Sequence, residues 1–162
     1  MKIRCNLLIA FSLIFSISSF KGQINGSELR NKVLLSVNDI NLENKILFVN
    51  VWKSDNPESR ENNREFARVS KIYEQAKLKN GLKGVSYINI SLDDPAMWRI
   101  ALKKDSIDTK FSLENSNGEY NSLVELFNSK PGNVVVGNDG EILGTNIKKE
   151  DCFILFRSLI TR

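Results

Sequence analysis

Seven consecutive residues, Ile46-Leu47-Phe48-Val49-Asn50-Val51-Trp52, form a nearly continuous apolar and β-branched run that is followed at once by Ser54-Asp55-Asn56-Pro57-Glu58. Such a run is the pattern of a strand buried on both faces of a parallel or mixed sheet. The residues after it supply N-cap candidates, a proline at the first helical position and an acid in the first turn, so a helix starts there. Phe66, Val69, Tyr73 and Ala76 keep a helical spacing, and Asn80-Gly81 is a good stop, which predicts a helix to about Asn80. A central strand that feeds directly into a long helix points to an α/β architecture.

The pattern then repeats. Val85-Ser86-Tyr87-Ile88-Asn89-Ile90 reads as a second strand, and Asp94-Pro95 caps a helix through Met97, Trp98, Ala101 and Leu102. This alternation implies parallel neighbours joined by a right-handed crossover. Residues 105–118 read as an exposed loop and Tyr120 to Phe127 as a short helix. Val134-Val135-Val136 and Ile142-Leu143 flank Gly137-Asn138-Asp139-Gly140, a turn-rich tetrad, and so predict a hairpin. The final helix, about Lys149 to Ile160, places Cys152, Phe156, Leu159 and Ile160 on one side. Ahead of the central strand, Leu29, Val33, Leu34 and Val37 suggest a short amphipathic helix ending at Asn38-Asp39.

The chain's first residues have the three parts of an export signal: basic Met1-Lys2-Ile3-Arg4, an apolar run from Leu7 to Phe20, then polar Lys21-Gly22-Gln23. Ser12, Ser16, Ser18 and Ser19 interrupt the run, which falls short of the ~20 residues a membrane span needs. The expected division is a signal peptide over 1–22 and one domain over 23–162, exported to a periplasmic or extracellular space with no stable span after cleavage. An uncleaved anchor or a buried helix is the alternative. Cys5 precedes the apolar run, so it is not a lipid-bearing cysteine. The whole chain has 23 basic and 19 acidic residues, for a net charge of +4. Three of the basic residues, Lys2, Arg4 and Lys21, belong to the leader, and removing them leaves the domain at about +1, which argues against nucleic acid as a partner.

The sequence has two cysteines and no histidine. Loss of Cys5 with the signal leaves Cys152 alone in an oxidising compartment, so no internal disulfide can form. Within Asp151-Cys152-Phe153-Ile154-Leu155-Phe156, a buried structural thiol is weighed above a reactive one. Absence of histidine removes a Ser-His-Asp triad, a Cys-His pair and imidazole metal sites. Asp93-Asp94 could be imagined as a metal pair, but capping ahead of Pro95 explains Asp94 and no third ligand stands out. No metal and no cofactor is expected. Trp52 and Trp98 occupy strand-end and helix positions expected to pack in the core.

Taken in order, these elements resemble the thioredoxin-like superfamily, specifically the exported thiol-disulfide oxidoreductases of the TlpA/ResA type. The resemblance covers about Leu42 to Arg162. It rests on Val49-Asn50-Val51-Trp52 ahead of Lys53-Ser54-Asp55-Asn56-Pro57-Glu58-Ser59-Arg60, on the acid-ended second strand Val85 to Asp93, on the following helix Pro95 to Lys104, on Lys130-Pro131 ahead of the hairpin, and on Asn138-Asp139-Gly140-Glu141-Ile142. It implies a central mixed sheet flanked by helices, a Cys-x-x-Cys pair opening the helix after the Trp-ended strand, and a cis-proline at Pro131. Here Asn56 stands where the attacking cysteine would be and Ser59 where the resolving one would be.

That substitution decides the chemistry. The family's reaction needs a thiolate of lowered pKa at a helix N-terminus and a second thiol to release the mixed disulfide. Asn56 has no ionisable group, and the Ser59 hydroxyl is a poor nucleophile without a general base. No catalytic residue is therefore assigned, and Asn56, Pro57, Glu58 and Ser59 are read as degenerate active-site positions, with a well-capped helix as the plainer alternative. The expected function is a redox-inactive module that binds a protein or extended peptide in a groove formed by Trp52, Asp55, Lys130 and Pro131, the family pairing substrate backbone beside its cis-proline. The alternatives are a thiol-redox participant using Cys152 or a partner's thiol, a non-thiol chemistry at Ser59, and a purely structural role in an envelope complex.

Overall fold

The computed structural model describes residues 24–37, 39–108 and 110–161. The 1–22 leader and its cleavage lie outside these residues. Five strands form one sheet in the order β3-β2-β1-β4-β5: β1 Ile46–Trp52, β2 Val85–Ser91, β3 Ser112–Glu114, β4 Gly132–Val136 and β5 Ile142–Thr145. The helices are α1 Gly26–Val37, α2 Pro57–Tyr73, α3 Pro95–Asp105, α4 Asn121–Val124 and α5 Lys149–Ser158. β1 pairs parallel with β2 and antiparallel with β4, and the β4–β5 hairpin closes one edge. The sheet is mixed and flanked by helices, as the sequence predicts.

Burial follows the side-chain alternation along β1, since all seven of its residues are buried. Leu47, Val49 and Val51 pack with Leu29 and Val33 of α1 and with Leu123 and Val124 of α4. Ile46 and Phe48 face the other way, onto Phe66, Val69 and Tyr73 of α2 and Cys152 and Phe156 of α5. Trp52 continues this second face into a small cluster with Ala101 and Leu102 of α3. The chain therefore has one core layer on each side of the sheet. Asn50 is the polar interruption in the second face, and its position matters below.

Two expectations about elements are corrected. α2 stops at Tyr73 rather than near Asn80, because Leu78 and Leu82 are buried and the intervening chain must turn to bury both. Leu78 pairs with Ile160, its N–H donates to the Leu82 carbonyl, and Gly84 with φ +93° brings the chain back under the end of α2. A Cβ on Gly84 would lie 2.0 Å from the Glu74 carbonyl oxygen, so no other residue fits without moving backbone. The stretch 105–118, expected to be loop, contains β3, which pairs parallel with β2 through Asn89–Ser112, Ile90–Leu113 and Ser91–Glu114. Only Leu113 of its three residues is buried, which is too short an alternation to show in a sequence.

Candidate functional site

At the C-terminal end of β1 the sheet changes direction of travel: the chain leaves β1 for β2 on one side, and β4 returns on the other. Open α/β sheets form crevices at such points. A cavity of about 200 Å³ lies here, between the first turns of α2 and the start of β4. Asn56, Glu58, Ser59 and Asn62 line it from α2, Asn50 and Asn133 from the sheet, Pro131 and Gly132 from the start of β4, and Phe66 gives it an apolar wall.

Local hydrogen bonds fix the α2 side. Asn56 is the N-cap, its backbone extended and its Oδ1 accepting from the Ser59 N–H at 2.9 Å. Ser59 Oγ in turn accepts from the Lys53 N–H at 3.1 Å, which folds the loop over the helix start. Asp93 holds the same loop from the far side, accepting from the Ser54 N–H at 2.7 Å and from the Ser91 hydroxyl at 2.9 Å. Arg60 donates to both Asp105 oxygens, at 2.6 and 2.9 Å, and so pins α2 to the end of α3. This hydrogen bonding raises the Arg60 pKa.

The floor is a polar row across the sheet. Register places Ser112, Asn89, Asn50 and Asn133 side by side on β3, β2, β1 and β4. Asn89 accepts from Trp52 Nε1 at 3.2 Å and donates to Ser112 Oγ at 2.7 Å. Asn133 spends its amide on the Ile147 backbone, donating at 3.1 Å and accepting at 2.8 Å. Asn50, only 4% exposed, donates through Nδ2 to Asn63 Oδ1 at 3.2 Å and to the Tyr87 hydroxyl at 2.9 Å. Tyr87 donates to Asn63 Oδ1. Burial holds the Tyr87 pKa well above its ordinary value, so the hydroxyl stays a donor.

The expected site residues separate. Asn56, Glu58, Ser59 and Pro131 line the cavity, whereas Pro57 is exposed outside it. Trp52 is fully buried and packs under α3, and Asp55 and Lys130 are exposed without lining the cavity. The expectation of a cis-proline is corrected: the described residues contain no cis peptide bond, so Lys130–Pro131 is trans. The reversal ahead of β4 is made by Asn128 and Ser129 in left-handed conformation, φ 53° and 54°, with the Lys130 N–H donating to the Phe127 carbonyl at 3.2 Å. A groove shaped by a cis bond, and the strand-addition mode that went with it, are withdrawn. Sequence reasoning missed Asn50, Asn62 and Asn133. Asn50 carried a signal, because a polar residue inside an otherwise apolar central strand is buried by position and must find partners.

Cys152 is the free cysteine among the described residues, and it is fully buried between α2 and the sheet. Burial pushes its thiol up to about 12. Iodoacetamide at pH 8 is therefore expected to leave the folded protein unlabelled and to label it fully in denaturant; labelling in the native state would contradict this burial. Because the folded pKa lies above the unfolded one, this thiol's contribution is complete below roughly pH 8.5 and is lost as pH rises toward about 12. No group of three metal-ligating side chains is present among the described residues, and none of their helices is long and apolar enough to cross a membrane.

Three solved structures share this arrangement. A thioredoxin-like protein from Parabacteroides distasonis superposes with a TM-score of 0.58 at 18% identity, covering 71% of this chain and 82% of that one. The chain has a thioredoxin-like fold. A thiol-disulfide oxidoreductase from Bacteroides fragilis matches with a TM-score of 0.54 at 26% identity, over 72% of this chain and 81% of its own. A secreted disulfide oxidoreductase from Mycobacterium tuberculosis matches with a TM-score of 0.55 at 14% identity, over 73% and 84%. No protein-family model and no curated protein matches the chain. In this thioredoxin-like fold, the cavity occupies the junction of β1, α2 and β4.

Proposed function

We propose that the protein is an exported thioredoxin-like module that binds a protein or extended peptide without redox chemistry, at the cavity between α2 and β4. The observation that carries this reading is the make-up of the helix start. Asn56 and Ser59, at the N-cap and three residues on, line an open cavity, and neither can form a mixed disulfide. Export is supported by the apolar leader and by the secreted neighbour. The alternative of redox work through Cys152 is disfavoured by its full burial and raised pKa.

Insulin-disulfide reduction tests the redox half. The wild-type protein is expected to give no rate above the uncatalysed background. The double variant Asn56→Cys, Ser59→Cys places two thiols within one first turn, close enough to bridge, with the helix N-terminus lowering the pKa of the first. That variant is expected to form a reducible disulfide and to reduce insulin measurably. Wild-type reduction at the rate of an ordinary thioredoxin would refute the proposal.

A further inference from the structure

We infer that the cavity takes a neutral carboxamide, the side chain of a glutamine or asparagine in the bound peptide. This deepens the binding reading proposed above and rests on it. Asn50 is the starting point, since it lines the cavity and is 4% exposed. Both of its hydrogen bonds leave through Nδ2, toward Asn63 and Tyr87, and among the described residues no group donates to its Oδ1. A buried acceptor without a donor costs stability, and a ligand N–H would relieve that cost.

The mouth has the opposite need. Asn56 uses its Oδ1 on the helix cap and Ser59 uses its Oγ as an acceptor from Lys53, which leaves the Asn56 Nδ2 and the Ser59 hydroxyl hydrogen without acceptors among the described residues. Asn62, half-buried between floor and mouth, has both its donor and its acceptor free among them. The complementary group carries an N–H and a C=O a few ångströms apart.

Charge excludes the alternatives. The positive end of the α2 dipole at Asn56 disfavours an ammonium or guanidinium group, and the Glu58 carboxylate at the rim disfavours an anion. A carboxylate would also bring no proton to Asn50. At about 200 Å³ the cavity exceeds the ~150 Å³ that holds a benzene ring in an engineered core, so a side-chain-sized group fits.

The test is an amide-resonance titration of the ¹⁵N-labelled protein with capped tripeptides Ala-Gln-Ala, Ala-Glu-Ala and Ala-Lys-Ala, and with N-acetylglucosamine as the non-peptide source of the same group. The glutamine peptide is expected to shift the side-chain amides of Asn50 and Asn62 and the Ser59 N–H, and to bind about tenfold more tightly than the other two peptides. Asn50→Leu is expected to abolish that preference. Ser59→Ala, which changes no buried packing, is expected to reduce it several-fold and decides the matter if Asn50→Leu does not fold. Equal shifts from all three peptides would overturn the carboxamide assignment while leaving peptide binding standing. Shifts from N-acetylglucosamine alone would overturn the peptide source. No shifts from any probe would overturn this inference, and the binding reading falls with it only if covalent capture at the cavity also fails.

Discussion

Replacing Arg30 with alanine is expected to destabilise the protein by about 3–5 kcal/mol, a large part of what a domain of this size has. Arg30 is 4% exposed and its guanidinium donates to four backbone carbonyls: Lys45 at 3.0 Å and Gly137 at 3.2 Å through Nη1, Leu42 at 3.0 Å and Glu43 at 2.5 Å through Nη2. These carbonyls belong to the segment leading into β1 and to the turn after β4, so one side chain on α1 ties together two regions 107 residues apart in separation from Gly137. Alanine would leave the carbonyls facing a void with no donor, each at a cost of roughly 1–3 kcal/mol less whatever water recovers. Arg30→Lys keeps the charge but not the planar fork, and should fall between the two. Urea denaturation measures both, and a loss below about 1 kcal/mol for Arg30→Ala would show that the clamp is incidental.

Phe48→Ala is expected to cost a similar amount, about 3–5 kcal/mol, through a cavity rather than through lost hydrogen bonds. The Phe48 ring is fully buried, with centroids 4.9 Å from Phe66, 5.4 Å from Tyr87 and 5.5 Å from Phe156. It is the meeting point of α2, β2 and α5, at tilted and edge-on geometries that favour aromatic pairs. The effect reaches the site, because Phe66 walls the cavity and the Tyr87 hydroxyl holds Asn50. Phe48→Leu should cost less than Phe48→Ala, since it retains most of the volume. Equal losses for the two variants, measured in urea, would mean that packing volume is not what Phe48 supplies.

How much of this was legible in the sequence depended on how local each signal was. β1 was legible because seven residues repeat one message, and the start of α2 because Asn56 and Pro57 are local capping chemistry that the structure uses as such. The end of α2 was not, because the turn at 74–84 is dictated by burying Leu78 and Leu82 against residues far along the chain, including Ile160. β3 has three residues and is held by pairing to β2, a partner that no local pattern names. The trans state of Pro131 depends on how Asn128 and Ser129 turn the chain, which composition does not reveal. At the site, the residues on the helix start were readable, and the floor was not. Asn50 and Asn133 meet only through strand register, and Asn62 joins them only once α2 lies over the sheet.

Covalent capture from the cavity tests the central claim most directly. A photo-activated benzoylphenylalanine at Glu58, on the exposed rim, is compared in the native host's exported fraction with the same group at Lys83, exposed in the turn ahead of β2. The account predicts a discrete protein adduct from Glu58, absent from Lys83 and persisting under reducing conditions because no disulfide is involved. Adducts of equal yield from both positions, or none from Glu58, would contradict it.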